Sequence, residues 1–333
     1  MNFRRSLAVP ATACALTLAA CSAPAPAPED ADGGGEPVRA AALTAEPVQA
    51  SLSVTDPRGT AVELDAVPER VVCLVALCDD ILVELGLEPT ATTSPDLLAH
   101  PAYLGADHGV PVIPGGFGGE DVEEILRQEP DLVIGLAGSH EGLVPALSET
   151  TTVWLTDARS WQDSVGYLRA VAALVDRSEE QAAAEQAFYD TLSQAQATAA
   201  ETGQDELTPI VLYGSDGSFQ VDSRGSIVGG LLDEIFDYHW QDRATGGHQA
   251  GGSDYSMEEI LAGDPDVIFL ESFIFSPEDA TLTEQFADDP VWNRITAVRN
   301  GGVHEVDLAP WATGRGTRAL SVVIGDAMEL TRP

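Results

Sequence analysis

Lysine is missing from this 333-residue chain: all 16 basic residues are arginine, set against 54 carboxylates and a formal net charge of −38. That absence excludes P-loop NTPases, protein kinases, Schiff-base enzymes and Ser-Lys hydrolases, each of which needs a lysine amine. So acidic a surface also repels nucleic acid and anionic lipid at long range, and no nucleic-acid partner is expected. The acidity fits solubility in a salty or alkaline habitat, and the arginine bias fits a GC-rich genome. Cysteine is scarce, with four in all. Beyond the leader only Cys21, Cys73 and Cys78 remain, and the last two are too few for a zinc or iron–sulfur site. Cys73 lies in the apolar run Val71 to Val75 and Cys78 at the start of the next helix; a disulfide and a buried thiol are both compatible with this spacing. A hydrolase elbow G-x-S-x-G is lacking, since Gly214-Ser215-Asp216-Gly217-Ser218 has the wrong spacing. The glycine-rich stretch Pro114 to Gly119 has no following lysine and is no phosphate loop.

Among what is present, one stretch occurs twice. Val122 to Val133 reads VEEILRQEPDLV and Met257 to Ile268 reads MEEILAGDPDVI, a constant offset of 135. Val122, Ile125 and Leu126, like Met257, Ile260 and Leu261, recur at i, i+3, i+4, the buried stripe of a short helix whose paired glutamates face water. Pro130 and Pro265 end these helices, and an apolar strand follows each. The repeat predicts two similar lobes with a cleft between them.

Arg4 and Arg5, the apolar stretch Ser6 to Leu16, and Leu18-Ala19-Ala20-Cys21 form a targeting segment too short to span a bilayer. Residues 1–20 read as a signal peptide, exported by the general or the twin-arginine route. Its removal takes the charge from −38 to −40. Residues 21–50 are rich in Ala, Pro and Gly and read as a flexible tether, with order beginning near Ser51 in a hairpin turning at Asp56-Pro57-Arg58-Gly59. Residues 51–160 then form an N-terminal α/β lobe. Residues 161–202 are connecting helices. The second of these starts at Ser178 with a capping box to Gln181 and has no Gly or Pro from Glu179 to Glu201, so it runs about 34 Å and stiffens the link between lobes. Residues 203–333 form a C-terminal α/β lobe ending in a helix over Thr317 to Leu330.

Glu69-Arg70-Val71-Val72, Glu84-Leu85-Gly86-Leu87, the two Glu-Glu-Ile-Leu…Pro-Asp copies, the long helix, and Asp289-Pro290-Val291-Trp292…Val298-Arg299-Asn300-Gly301 together resemble the helical-backbone binding proteins of ABC importers. The lipobox around Cys21 belongs to the same pattern, and the match spans nearly all of Ser51 to Leu330. This resemblance implies an α/β fold of two Rossmann-like lobes joined by one long helix. It implies a non-enzymatic lipoprotein, a monomer anchored through Cys21 to the outer face of the cell membrane. Its role would be to capture a ferric siderophore, or alternatively cobalamin or haem, and deliver it to a permease dimer with its ATPase. Iron would enter only within the chelate, with no resident cofactor. By position, Glu123 and Glu258 would dock the permease, unless they are simply solvated helix face.

Binding groups in such lobes lie past the carboxyl ends of strands. That singles out Cys78, Phe117, His140, Tyr213, Phe219, Phe273, Trp311, Arg315 and Arg318. The two arginines can meet an anionic chelate or serve as partners for Asp307 or Glu305. The aromatic residues can flank a flat ligand or simply pack. His140 can act as an axial ligand to haem or cobalamin. A bare Mn, Zn or Fe site is poorly provided for, because His100, His108, His140, His239, His248 and His304 form no close helical pair.

Overall fold

The computed structural model describes residues 38–116, 118–243, 252–276 and 278–333. Cys21, the signal segment, Phe117 and His248 lie outside the described residues. The first two strands form a hairpin, β1 (Ser53–Thr55) and β2 (Ala61–Glu63), paired antiparallel. Its turn is held by Asp56, which accepts from the Arg58 and Thr60 amides at 2.9 and 2.8 Å and from the Trp154 indole at 3.1 Å.

The N-terminal lobe follows as β3 (Val71–Cys73), α1 (Ala76–Glu84), β4 (Ala91–Thr92), α2 (Pro95–Ala99), α3 (Val122–Arg127), β5 (Leu132–Leu136), α4 (Val144–Leu147) and β6 (Thr152–Thr156). Its sheet is parallel throughout, in the order β4-β3-β5-β6. Two connecting helices come next, α5 (Trp161–Leu174) and α6 (Ser178–Thr202). The C-terminal lobe contains β7 (Pro209–Ser215), β8 (Ser218–Asp222), α7 (Ile227–Leu232), β9 (Gly252–Ser253), α8 (Met257–Gly263), β10 (Val267–Ser272), α9 (Leu282–Phe286), α10 (Thr296–Asn300), β11 (Val303–Glu305) and α11 (Thr317–Leu330). Its sheet order is β11-β10-β7-β8-β9, parallel from β11 to β7 and antiparallel beyond.

The sequence repeat is a structural repeat. Glu129 and Asp264, offset by 135, both take positive φ (49° and 43°) just before their prolines. The aspartate after each proline then ties its strand to the start of the neighbouring one. Asp131 accepts from the Glu69 and Arg70 amides at 2.8 and 2.9 Å. Asp266 accepts from the Thr208 amide and hydroxyl at 3.2 and 3.0 Å. Arg70 and Thr208 immediately precede β3 and β7, so each Pro-Asp sets the register of one parallel pair.

Helix α6 serves both cores. Ala184 packs with the N-terminal lobe, whereas Phe188, Leu192, Ala195 and Ala199, spaced three and four apart, pack with the C-terminal lobe. At 25 residues it rises about 37 Å. Truncating the wholly buried Leu192 to alanine should cost about 3 kcal/mol.

Two expectations are corrected at this helix. The Ser178 capping box does not form: Arg177 is the N-cap and offers no side-chain bond, because buried Gln181 is committed to Glu185 at 2.7 Å and to the Val48 amide at 3.0 Å. Order also begins before Ser51. Residues 38–50 run antiparallel along α6 as a strap, with Val38 and Ala40 held by Gln196, Ala45 by Gln186 and Val48 by Gln181. The strap meets the C-terminal-lobe half of α6 first and the N-terminal-lobe half last. Among the described residues no helix is long and apolar enough to cross a membrane.

Candidate functional site

The lobes meet where the carboxyl ends of their strands face a common seam. Helix α1 starts just past β3, and α11 starts past β11. The buried Asp80 of α1 reaches across to cap α11, accepting from the Arg318 amide at 3.3 Å and the Ala319 amide at 2.9 Å, and the Tyr103 hydroxyl donates to it as well. Gly316, the N-cap of α11, has no room for a Cβ because the Asp80 carboxylate occupies that space. Burial pushes the Asp80 carboxyl up, and the bonds from Tyr103, Ala319 and Arg318 pull it back. Arg318 spends its guanidinium here too, 2.6 Å from Glu84 and 2.9 Å from the Ala102 carbonyl. It is therefore a partner of Glu84, neither free for a ligand nor paired with Asp307 or Glu305.

In the C-terminal lobe the chain passes from β7 to β8 on one side and later returns as β10 on the other, so β7 and β10 flank a switch point. Cross-strand register places Glu271 opposite Tyr213, and Tyr213 opposite Gln220. These three side chains form a polar row over adjacent strands. Tyr213 donates to Gln220 Oε1 at 3.0 Å, and Gln220 Nε2 donates to Asp254 at 3.0 Å. Asp222, two residues past Gln220, points to the same face. Burial raises the Asp222 carboxyl to about 6 and the Glu271 carboxyl well above the usual range; the nearby Asp222 charge raises Glu271 further, and the Arg315 charge draws both down. Arg315 is half-buried, with Nη2 donating to the Ala312 carbonyl at 3.1 Å. Beyond Tyr213 stand Phe273, edge-on at 6.3 Å, and Phe275, stacked on Phe273 at 6.4 Å and 80% exposed.

Of the expected ligand residues, Tyr213, Phe273 and Arg315 thus come together. Phe219 does not join them: it alternates with Gln220, faces the other side of the sheet, and packs edge-on against Phe286. Trp311 is wholly buried against Phe269, its indole donating to Asp326 at 3.0 Å. Cys78 is buried in a disulfide with Cys73 and exposes nothing to a ligand. His140 is buried with both nitrogens engaged: Nδ1 accepts from the Leu136 amide at 2.7 Å, and Nε2 faces Glu120 at 3.1 Å. Glu120 in turn holds the Gly118 amide at 2.9 Å, so the pair braces a glycine-rich loop. Sequence reasoning missed Gln220, Asp222 and Glu271. The available signal was polar residues inside the strands SFQVD and VIFLES, where burying charge is costly without purpose.

On the outer helices, the two copies are alike. In α3, Glu124 binds Arg127 and Gln128; in α8, Glu259 completes a capping box with Ser256 and binds Arg243 at 2.6 Å. Glu123 and Glu258, the first of each pair, are exposed and their carboxylates have no partner among the described residues. Also among the described residues, no group of three or more His, Cys, Asp or Glu is arranged to hold a metal ion.

Comparison with known proteins agrees with this architecture. A putative ABC transporter substrate-binding lipoprotein, YhfQ of Bacillus subtilis, is 23% identical over 270 residues, covering 78% of this chain and 82% of its own. The probable siderophore-binding lipoprotein YfiY of the same organism is 24% identical over 285 residues, covering 80% and 84%. Among solved structures, Staphylococcus aureus SirA complexed with staphyloferrin B superposes with a TM-score of 0.68 at 21% identity, over 84% of this chain and 98% of that one. The Fe3+-Desferal-bound FhuD of Vibrio cholerae gives 0.65 at 17%, over 79% and 99%. These likenesses establish the two-lobed fold. The model of the periplasmic binding protein family matches residues 71–308, most of the chain, and the protein belongs to that family.

Proposed function

We propose that this protein is a lipid-anchored, extracytoplasmic substrate-binding protein of an ABC importer, which takes up a ferric siderophore between its lobes and hands it to the permease. The observation that carries this reading is the polar row Glu271–Tyr213–Gln220 with Arg315, built at a strand switch point and continued outward by Phe273 and Phe275. Family membership and the printed names of its relatives support the same reading. Glu123 and Glu258 would each engage one half of a two-fold permease, since they project uncommitted from equivalent helices. Cys21 would carry the acyl chains, and two chains suffice for a stable anchor. The protein would act as a monomer, because a pseudo-two-fold chain already matches a two-fold partner. An axial-ligand role in haem or cobalamin binding has little support, with both His140 nitrogens in use.

The test is a tryptophan-fluorescence titration of the full chain, acyl-free through Cys21→Ser, with ferric hydroxamates, ferric catecholates, ferric citrate, cobalamin, haemin and free metal ions. Saturation by one ferric chelate with a dissociation constant at or below about 1 μM is expected. Saturation by haemin, cobalamin or a free metal alone would contradict the proposal.

A further inference from the structure

One aromatic ring stands in water at the outer end of the site. Phe275 is the most exposed large apolar side chain among the described residues, at 80%; the next, Val112, is aliphatic and 51% exposed. The backbone that presents this ring is pinned on both sides. Before it, the Phe273 amide donates to the Gly214 carbonyl at 2.8 Å and extends the β7–β10 pairing. From Phe275 onward, Asp279 accepts from the Phe275 amide, the Ser276 amide and the Ser276 hydroxyl, each at 2.8 Å. Inward of Phe275 the rings form a ladder. Phe273 lies nearly parallel to it, at 21° and 6.4 Å between centroids, and Tyr213 meets Phe273 edge-on, at 76° and 6.3 Å. The Tyr213 hydroxyl is spent on Gln220 at 3.0 Å, so what Tyr213 adds to the ladder is its ring. Phe273 is the only ring stacked on Phe275 among the described residues, and the outward face of Phe275 is left to solvent. A flat ring laid on that face gains stacking beyond the area it buries, at a small ordering cost because the backbone beneath is already held.

Resting on the reading of this site as a chelate site, we propose that Phe275 is a specificity-determining residue that stacks on an aromatic ring of the cargo, so that the protein selects a ferric chelate whose arms are aryl groups of the catecholate or phenolate kind. The ladder is continuous with the polar row, which assigns the open ring face to the ligand and not to a separate partner. Chelates built only from carboxylate or aliphatic hydroxamate arms cover the same phenyl without stacking on it and are the weaker ligands.

The discriminating experiment varies the ring on each side of the contact. The full chain carrying Cys21→Ser is titrated with two aryl-armed complexes, ferric enterobactin and ferric 2,3-dihydroxybenzoylglycine, and with two ring-free ones, ferric citrate and ferrioxamine B. An aryl-armed complex should bind tightest. Phe275→Leu, which keeps an apolar side chain and removes the ring, should weaken that complex about fivefold or more, and Phe275→Trp should restore it to within about twofold of the parent. Any ring-free complex that binds should change less than about twofold in either variant. Because Phe275 is exposed, the thermal midpoints of both variants should match the parent. Tightest binding by ferric citrate or ferrioxamine B would overturn the aryl selectivity while leaving the receptor reading intact. Equal affinity for the aryl-armed complex in the parent and in Phe275→Leu would overturn the role given to Phe275; if uptake by cells fell at the same time, the ring would belong to the permease contact. Binding of no ferric chelate in the panel would overturn the receptor reading and the aryl selectivity with it.

Discussion

The two lobes share one set of features and differ in another. Both carry the helix, the positive-φ acid before proline, the strand-tying aspartate and an uncommitted outer glutamate, at an offset of 135. At the inner strand ends they differ. The N-terminal lobe closes its polar groups on itself, His140 on Glu120 and Cys73 on Cys78. The C-terminal lobe replaces the first parallel crossover with an antiparallel hairpin, and so gains a strand that presents Gln220 and Asp222 beside Tyr213. What is symmetric suits a two-fold partner, and what is asymmetric suits one ligand.

The largest effect should come from breaking the symmetric part. Glu123→Arg with Glu258→Arg should abolish chelate uptake by cells while leaving the dissociation constant of the purified protein unchanged; normal transport would show that the outer glutamates are only solvated helix face. Next comes the junction. Asp80→Ala removes a buried cap from two amides and a tyrosine hydroxyl, and denaturant unfolding should register a loss of about 3 kcal/mol. A loss below about 0.5 kcal/mol would mean that this link adds little to the lobe interface.

A smaller and paired effect sharpens the equivalence of the lobes. Asp131→Ala and Asp266→Ala should each cost about 1–2 kcal/mol, since both remove two hydrogen bonds to the residues before a core strand. Unequal costs would mark one copy as the weaker register lock. The smallest effect is that of pH. Burial raises the carboxyls of Asp79, Asp80, Asp222 and Glu271 in the folded protein, so the folded state keeps protons that the unfolded chain has released. Stability therefore falls as pH rises from the ordinary carboxylate range through the folded values. Scanning calorimetry should find the thermal midpoint about 3 °C higher at pH 6 than at pH 8, and a lower midpoint at pH 6 would refute that sign.

Much of the fold was legible because its signals are periodic and local. The repeated apolar stripes, the Pro-Asp stops, the hairpin turn at Asp56 and the final helix over Thr317–Leu330 all follow from spacing and turn chemistry. The strap over residues 38–50 was not legible. Its composition reads as unpacked chain, and what holds it down lies far away in sequence: Gln181, Gln186 and Gln196 on α6, Glu234 after α7, and the C-terminal core that buries Ala40. The site was legible in part for the same reason. Tyr213, Phe273 and Arg315 follow from their place after strands, whereas Phe219 and Gln220 differ by one residue and face opposite sides of the sheet, a distinction that register alone decides. Arg318 was misjudged because its partner, Glu84, lies in the other lobe.

The claim that the asymmetric row holds the ligand is tested most directly by measuring one dissociation constant in three proteins. Using the chelate that saturates the unsubstituted chain, Tyr213→Ala and Arg315→Ala should each weaken binding about tenfold or more, with thermal midpoints within a few degrees of the parent. Affinity unchanged in both variants would place the ligand elsewhere and contradict the account.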